Sequence, residues 1–109
     1  MEIPDRGKKR PSSGPDSSIS TLYVQDPSGD RQISLKGARL SIGRSKDNDV
    51  EISDISASRQ HCRLECIQGR WQLEDLRSRN GTMVNGILIR RQPLLPGDKI
   101  EIGKTRIYF

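Results

Sequence analysis

A serine and the only histidine of the chain stand close together in the run Ser58-Arg59-Gln60-His61. Serine and histidine serve as nucleophile and general base in many hydrolases, so this spacing raises the question of covalent catalysis. Such a mechanism also needs an oxyanion hole and a carboxylate that orients the histidine, for which Asp54 and Asp75 are available. However, the sequence has no Gly-x-Ser-x-Gly nucleophile elbow, glycine-rich nucleotide loop or metal-ligand cluster. We therefore expect no enzymatic activity, no cofactor and no metal.

The same run belongs to one of three polar segments that offer a different chemistry. These segments are residues 43–49, 54–59 and 77–81, and they are rich in hydroxyl, amide and guanidinium groups. Apart from Ile55 and Ala57 they contain no apolar side chain that would anchor them in a core. Loops of this composition at one end of a rigid scaffold commonly form a binding site.

The elements that must position these loops are short β-strands. From Ser20 onward, apolar and polar residues alternate in short runs separated by turn signals, and no window has helical periodicity. Asn85-Gly86 is a strong signal for a two-residue hairpin turn between residues 82–84 and 87–89. This pattern predicts an all-β fold, an antiparallel β-sandwich of about 10–11 short strands. Residues 1–19, rich in Pro, Ser, Gly and charge, are predicted to form a disordered arm, which leaves residues 20–109 as the folded domain.

Charge and cysteine content restrict the partner and the compartment. The formal net charge is +5, and residues 21–109 carry fifteen basic and eleven acidic residues that are interleaved. This balance favours an anionic partner without specifying nucleic acid. Cys62 and Cys66 would lie about 13 Å apart on one strand, too far for a disulfide, and free thiols fit a reducing interior. With no apolar run of membrane-spanning length, we expect an intracellular, cytoplasmic protein, or a nuclear one if the source is eukaryotic.

Three motifs, taken in their order along the chain, indicate a family resemblance. Gly43-Arg44, Ser58-x-x-His61 and Asn80-Gly81-Thr82 resemble the signature of the forkhead-associated (FHA) domain. Asn85-Gly86 and Leu95-x-Gly97-Asp98 also match it, so the resemblance covers roughly residues 20–109. It implies a β-sandwich of about eleven strands that binds phosphothreonine peptides through loops at one end.

The resemblance also implies a role for each loop residue. Arg44 would face the phosphate, Ser58 would donate its hydroxyl to a phosphate oxygen, and Arg59 would add a further contact. Asn80 would hold the peptide backbone, with Arg79 at the rim of the site. The chemistry agrees, because guanidinium groups make strong charge-assisted hydrogen bonds to phosphate and an amide both donates and accepts.

A second group of residues is expected to support the loops without contacting the ligand. In the family the histidine is structural, so His61 would bond to nearby backbone and fix the loop that presents Ser58. The other expected supports of the loops are Gly43, Gly81 and Thr82.

The implied partner is a protein phosphorylated by a Ser/Thr kinase, which could be part of the same full-length protein. In the family the residue three positions after the phosphothreonine sets specificity, and Ser56, Arg79 and Lys46 are the candidates to read it here. Two alternatives remain open at this point. One is a protein interaction that does not need phosphate, and the other is association with nucleic acid, although the strands show no aromatic platform for stacking bases.

Overall fold

Two β-sheets packed face to face form the molecule in the computed structural model, which describes residues 20–109. The predicted arm of residues 1–19 lies outside the described residues. Eleven strands are present in chain order: β1 Ser20–Asp26, β2 Gly29–Leu35, β3 Arg39–Gly43, β4 Val50–Glu51, β5 Cys62–Ile67, β6 Arg70–Asp75, β7 Thr82–Val84, β8 Ile87–Ile89, β9 Arg91–Pro93, β10 Lys99–Ile102 and β11 Thr105–Tyr108. The predicted β-sandwich is confirmed.

The strands divide into a six-stranded and a five-stranded sheet. The first has the order β2-β1-β11-β10-β7-β8 and the second the order β4-β3-β5-β6-β9. All pairings are antiparallel except that of β3 with β4, which is parallel. A parallel pair cannot be joined by a tight hairpin, so the chain must travel back along the sheet between Gly43 and Val50. The connection that carries Arg44 is therefore a long loop.

The core between the sheets consists of apolar side chains that alternate with outward-facing side chains along the strands. In β1 the side chains of Leu22 and Val24 are fully buried while Tyr23 and Gln25 face outward. Complete burial of an aliphatic side chain contributes about 1.5–3 kcal/mol. Trp71 and Leu73, which alternate along β6, are both buried. The remaining core residues are Leu35, Leu40, Ile42, Val50, Ile52, Ala57, Cys62, Leu64, Val84, Leu94, Ile100, Ile102 and Ile107.

Two further expectations concern the hairpin and the cysteines. Strands β7 and β8 pair from Thr82–Ile89 to Val84–Ile87, so the hairpin forms around Asn85. Both cysteines are free thiols: Cys62 is fully buried, and burial raises the pKa of its thiol. Cys66 is only partly buried. No helix among residues 20–109 has the length and apolar character needed to cross a membrane.

Candidate functional site

Backbone hydrogen bonds dock the β3–β4 loop onto the β4–β5 loop. The Arg44 N–H donates to the Ser58 carbonyl at 2.9 Å, and the Ser45 N–H donates to the Arg59 carbonyl at 3.2 Å. The approach is so close at Gly43 that a Cβ there would lie 2.1 Å from the Arg59 carbonyl oxygen. Glycine is therefore required at position 43 by space, and the two loops behave as one backbone unit.

Asn48 strengthens the same junction with its side chain. Its amide nitrogen donates to the carbonyls of Ser45 at 2.8 Å and Arg59 at 2.7 Å. The residue is buried, so these bonds replace the water that its amide nitrogen would otherwise bind, whereas the buried Oδ1 has no hydrogen-bond partner among residues 20–109. The sequence indicated Asn48 only as part of the polar segment 43–49 and gave no signal of a supporting role.

His61 joins the β4–β5 loop to the β6–β7 loop. Its ring is fully buried, Nδ1 accepts the N–H of Ser58 at 2.9 Å, and Nε2 lies 2.8 Å from the Gly81 carbonyl. Because a backbone N–H can only donate, Nδ1 is the acceptor, and Nε2 must carry the proton that Gly81 accepts. Both ring nitrogens are thus occupied by backbone groups, and neither is free to take a proton from the Ser58 hydroxyl.

Asp75 holds the β6–β7 loop together. Its carboxylate accepts the backbone N–H of Ser78 at 3.1 Å, the Ser78 hydroxyl at 2.6 Å and the Thr82 hydroxyl at 2.7 Å. Burial raises the pKa of this carboxyl, but the hydrogen bonds from Ser78 and Thr82 outweigh that effect and bring the pKa below its ordinary value. Asp75 is therefore an ionised anchor of the loop. It does not bond to the ring of His61, as a catalytic triad would require.

Asp54 fixes the start of the β4–β5 loop against the β10–β11 turn. The buried carboxylate accepts the N–H groups of Ser56 at 2.9 Å and Lys104 at 3.0 Å, and the Thr105 hydroxyl at 2.7 Å. Burial opposes ionisation, yet these bonds lower the pKa of Asp54 overall. The Asp-x-Ser spacing of Asp54 and Ser56 is a local turn signal, but the contact with Thr105 spans 51 positions and cannot be read from spacing.

Arg44 presents a fixed guanidinium group at the surface. Its Nε donates to the Ala57 carbonyl at 3.0 Å, while its two terminal nitrogens have no hydrogen-bond partner among residues 20–109. The side chain is exposed. A guanidinium held through Nε keeps its remaining donors directed at one region, which suits a planar or tetrahedral oxyanion.

Ser58 and Asn80 are the two neutral groups of the site. The Ser58 hydroxyl oxygen accepts the N–H of Arg79 at 2.9 Å, which leaves its own proton available for donation. The Asn80 amide donates to the Ser56 carbonyl at 2.8 Å, which leaves the side-chain carbonyl available as an acceptor. These bonds connect the second and third loops at the surface, so all three predicted loops meet.

Two more arginines add positive charge to this end of the sandwich. Arg59 and Arg79 are exposed, and neither side chain forms an ion pair within the described part of the chain. The backbone of each is engaged, since the Arg59 carbonyl receives Asn48 and the Arg79 N–H bonds to Ser58. The structure therefore brings the five predicted binding residues onto one surface, above supports that include His61 and Thr82.

Open grooves lie on either side of this surface. One, of about 530 Å³, runs between Arg44 and the β10–β11 turn at Lys104, with the highly exposed Ile55 at its edge. The other, of about 360 Å³, lies between the β6–β7 loop and strand β8. The site is thus a shallow surface and not an enclosed cavity.

Comparison with known proteins agrees with this architecture. The FHA domain family model matches residues 40–103. The chain belongs to the FHA domain family. Glycogen accumulation regulator GarA of Mycolicibacterium smegmatis is 32% identical over 95 residues, which is 87% of this chain and 60% of GarA. The chain thus spans less than two thirds of the length of that relative.

Two solved FHA structures are similar in sequence as well as in shape. One comes from work on phosphothreonine-dependent FHA domain interactions, with a TM-score of 0.72, 32% identity, and coverage of 82% of this chain and 94% of that one. The other is Mycobacterium tuberculosis EmbR in complex with a low-affinity phosphopeptide. It has a TM-score of 0.74 and 31% identity, and the match covers 83% of this chain and 24% of EmbR.

Proposed function

We propose that this FHA domain binds phosphothreonine-containing segments of partner proteins in Ser/Thr kinase signalling. The observation that carries the proposal is the Arg44 guanidinium, held through Nε with its other donors exposed, on the loop that docks against the one bearing Ser58. A phosphate near neutral pH carries about −1.5 to −2 charges and three strong acceptor oxygens. Arg44 would bind it with charge-assisted hydrogen bonds, and Ser58 would add a hydroxyl donor.

The remaining exposed residues would contact the peptide around the phosphate. Asn80 would bond to the peptide backbone through the acceptor that its bond to Ser56 leaves unused. Arg59 and Arg79 would raise the positive potential that attracts the phosphorylated segment and add contacts at the rim. The shallow shape of the site suits an extended peptide, because such a peptide binds along a surface and does not need an enclosed pocket. The similar structures that concern phosphothreonine or phosphopeptides support the same class of ligand.

The positions of the threonines in this chain bear on the source of the phosphothreonine ligand. The 109 residues contain three threonines, Thr21, Thr82 and Thr105. Thr82 and Thr105 are fully buried, and Thr21 lies within β1, paired with Ser34 of β2. Thr82 and Thr105 cannot present a phosphate while the sandwich stays intact, and Thr21 is half-buried. We propose that the phosphothreonine comes from another polypeptide or from a part of the protein outside these 109 residues.

We further propose that binding occurs without catalysis and inside the cell. Both nitrogens of His61 are engaged by backbone groups, so Ser58 has no base to activate it. A buried, unpaired Cys62 fits a reducing compartment, where Ser/Thr kinases also act. The division into an arm at residues 1–19 and a domain at residues 20–109 is also a proposal. Removal of residues 1–19 should leave the melting temperature and phosphopeptide binding unchanged.

Binding to a phosphothreonine peptide library tests the function. Wild-type protein should retain phosphorylated peptides and lose them after phosphatase treatment, and Arg44→Ala should lose them while folding normally. Arg106→Ala is the matched control, because Arg106 is an exposed arginine on β11. Equal retention of treated and untreated peptides would contradict the proposal. Duplex binding with a steep salt dependence would instead favour the nucleic-acid alternative.

A further inference from the structure

The groove between the β6–β7 loop and strand β8 combines an apolar floor with positive walls. It is lined by Arg79, Asn80, Gly81, Leu88, Ile89 and Arg90, together with Asp75 and Ser78. Leu88 is 68% exposed, so most of this aliphatic side chain is open to solvent. Its side chain nevertheless lies against the binding loop, since a Cβ on Gly81 would come within 2.5 Å of Leu88 Cδ1. The apolar surface is thus continuous with the loop that carries Asn80.

Guanidinium groups outnumber carboxylates around this apolar surface. Arg79 and Arg90 are exposed, and neither forms an ion pair within residues 20–109, whereas the neighbouring Arg91 is paired with Glu74. Among residues 20–109, the one carboxylate that lines the groove belongs to Asp75, and its oxygens accept hydrogen bonds from Ser78 and Thr82. A ligand in this groove therefore meets an aliphatic surface flanked by guanidinium groups.

We propose that this groove is a second recognition subsite, which takes an aliphatic residue adjacent to an acidic one in the segment flanking the phosphothreonine. The proposal rests on the proposed function and adds a part of the partner sequence to it. Leu88 would pack against the aliphatic side chain, and Arg90, two positions further along the same face, would pair with the acidic one. Neither residue belongs to the phosphate-binding residues or to those expected to read the third position after the phosphothreonine.

A library with phosphothreonine fixed and the residues on both sides randomised tests the subsite. Wild-type protein should enrich peptides with an aliphatic residue next to an acidic one. Leu88→Ser should remove the aliphatic preference and lower affinity for the enriched peptide about fivefold. Affinity for a phosphothreonine peptide with alanine flanks should not change. Arg90→Ala should remove the acidic preference alone.

Matched controls separate the groove from general surface effects. Ile87→Ser changes an equally exposed aliphatic residue of β8 that does not line the groove, and Arg106→Ala changes an exposed arginine on β11. Both should keep the wild-type enrichment. Unchanged enrichment in Leu88→Ser and Arg90→Ala, or equal losses in the controls, would overturn the subsite alone. Failure of the wild-type protein to retain any phosphopeptide would overturn the proposed function and the subsite with it.

Discussion

The polar groups at the binding end form an exposed layer and a buried layer, and the two differ in what their hydrogen bonds leave unused. In the exposed layer, Arg44, Ser58 and Asn80 each make one bond to the backbone and keep further donors or acceptors open to solvent. In the buried layer, both ring nitrogens of the fully buried His61 are bonded, and the half-buried Asp75 carboxylate accepts three hydrogen bonds, one of them from the fully buried Thr82. Loop support and the recognition that we propose thus fall to different residues.

This division predicts that variants of the two layers should differ in their effects on stability and binding. Losing a buried group leaves its partners unsatisfied inside the protein, so folding stability must fall. Losing an exposed group returns its partner to water at little cost, so stability should change little while binding falls. A variant of either layer that behaves like the other would break the comparison.

His61→Ala should have the largest effect on stability. It removes two hydrogen bonds and a fully buried ring, so the free energy of unfolding should fall by about 3–5 kcal/mol. Chemical unfolding measures this loss, with Gln60→Ala as control because Gln60 is the exposed neighbour. A loss below about 1 kcal/mol would mean that the buried layer does not carry the loops.

Asp75→Ala should destabilise the protein somewhat less, by about 2–3 kcal/mol. The variant frees the hydroxyls of Ser78 and Thr82 inside the β6–β7 loop, and Thr82 is fully buried. Amide hydrogen exchange should show faster exchange at Ser78 and Gly81, whose N–H groups depend on this cluster. Asp30→Ala, at an exposed position of β2, should leave exchange unchanged.

Acid should weaken the buried layer through its carboxylates, and Asp26 gives the clearest case. Burial raises the pKa of Asp26, but hydrogen bonds from Ser53, Ser28 and Arg31 lower it from 3.8 to about 2. Because the folded-state pKa is the lower one, the stabilisation is complete above about pH 4 and is lost as pH falls toward 2. It amounts to about 2 kcal/mol.

Urea unfolding across that range measures the acid effect. Asp26→Asn should flatten the dependence on pH between about 4 and 2, since an amide does not titrate. Asp54 and Asp75, whose pKa values are also lowered, should keep part of the slope in this variant. An identical slope in wild type and Asp26→Asn would contradict the assignment.

Ser58→Ala should have the smallest effect on stability and a modest one on binding. Its hydroxyl accepts only the exposed N–H of Arg79, so unfolding free energy should change by less than about 1 kcal/mol. Phosphopeptide affinity should fall about fivefold through loss of one donor to phosphate. Isothermal titration measures the affinity, and Ser34→Ala on β2 serves as the control. A stability loss as large as that of His61→Ala would place Ser58 in the buried layer.

The strands were predicted from alternation, which is a local pattern, whereas the roles of the exposed layer were predicted from the resemblance of the loop motifs to the FHA signature. Alternation in segments such as Leu22–Val24 identified strands whose side chains do face the core. Strand β9, Arg91–Pro93, was not predicted, because it has no apolar alternation and contains proline. It forms by pairing with β6 at the edge of its sheet, where proline is tolerated.

Most of the buried layer could not be predicted, since it depends on how distant loops dock. Asn48 supports the site only because its loop packs on Arg59, and Asp54 only because the β10–β11 turn lies beside it. Nothing near Asp75 in sequence indicates that it anchors a loop rather than orienting a histidine. His61 is different, because the family resemblance led us to expect a ring bonded to backbone, and its two bonds are of that kind.

A double-mutant cycle between Arg44 and the phosphate tests the central claim most directly. Wild type and Arg44→Ala are each titrated with a phosphothreonine peptide and its unphosphorylated counterpart, and their melting temperatures are compared. We expect a coupling free energy of about 1.5–3 kcal/mol with melting temperatures that agree closely. A coupling near zero, or a loss of binding that accompanies a loss of folding, would contradict the assignment of Arg44 to the exposed, phosphate-binding layer.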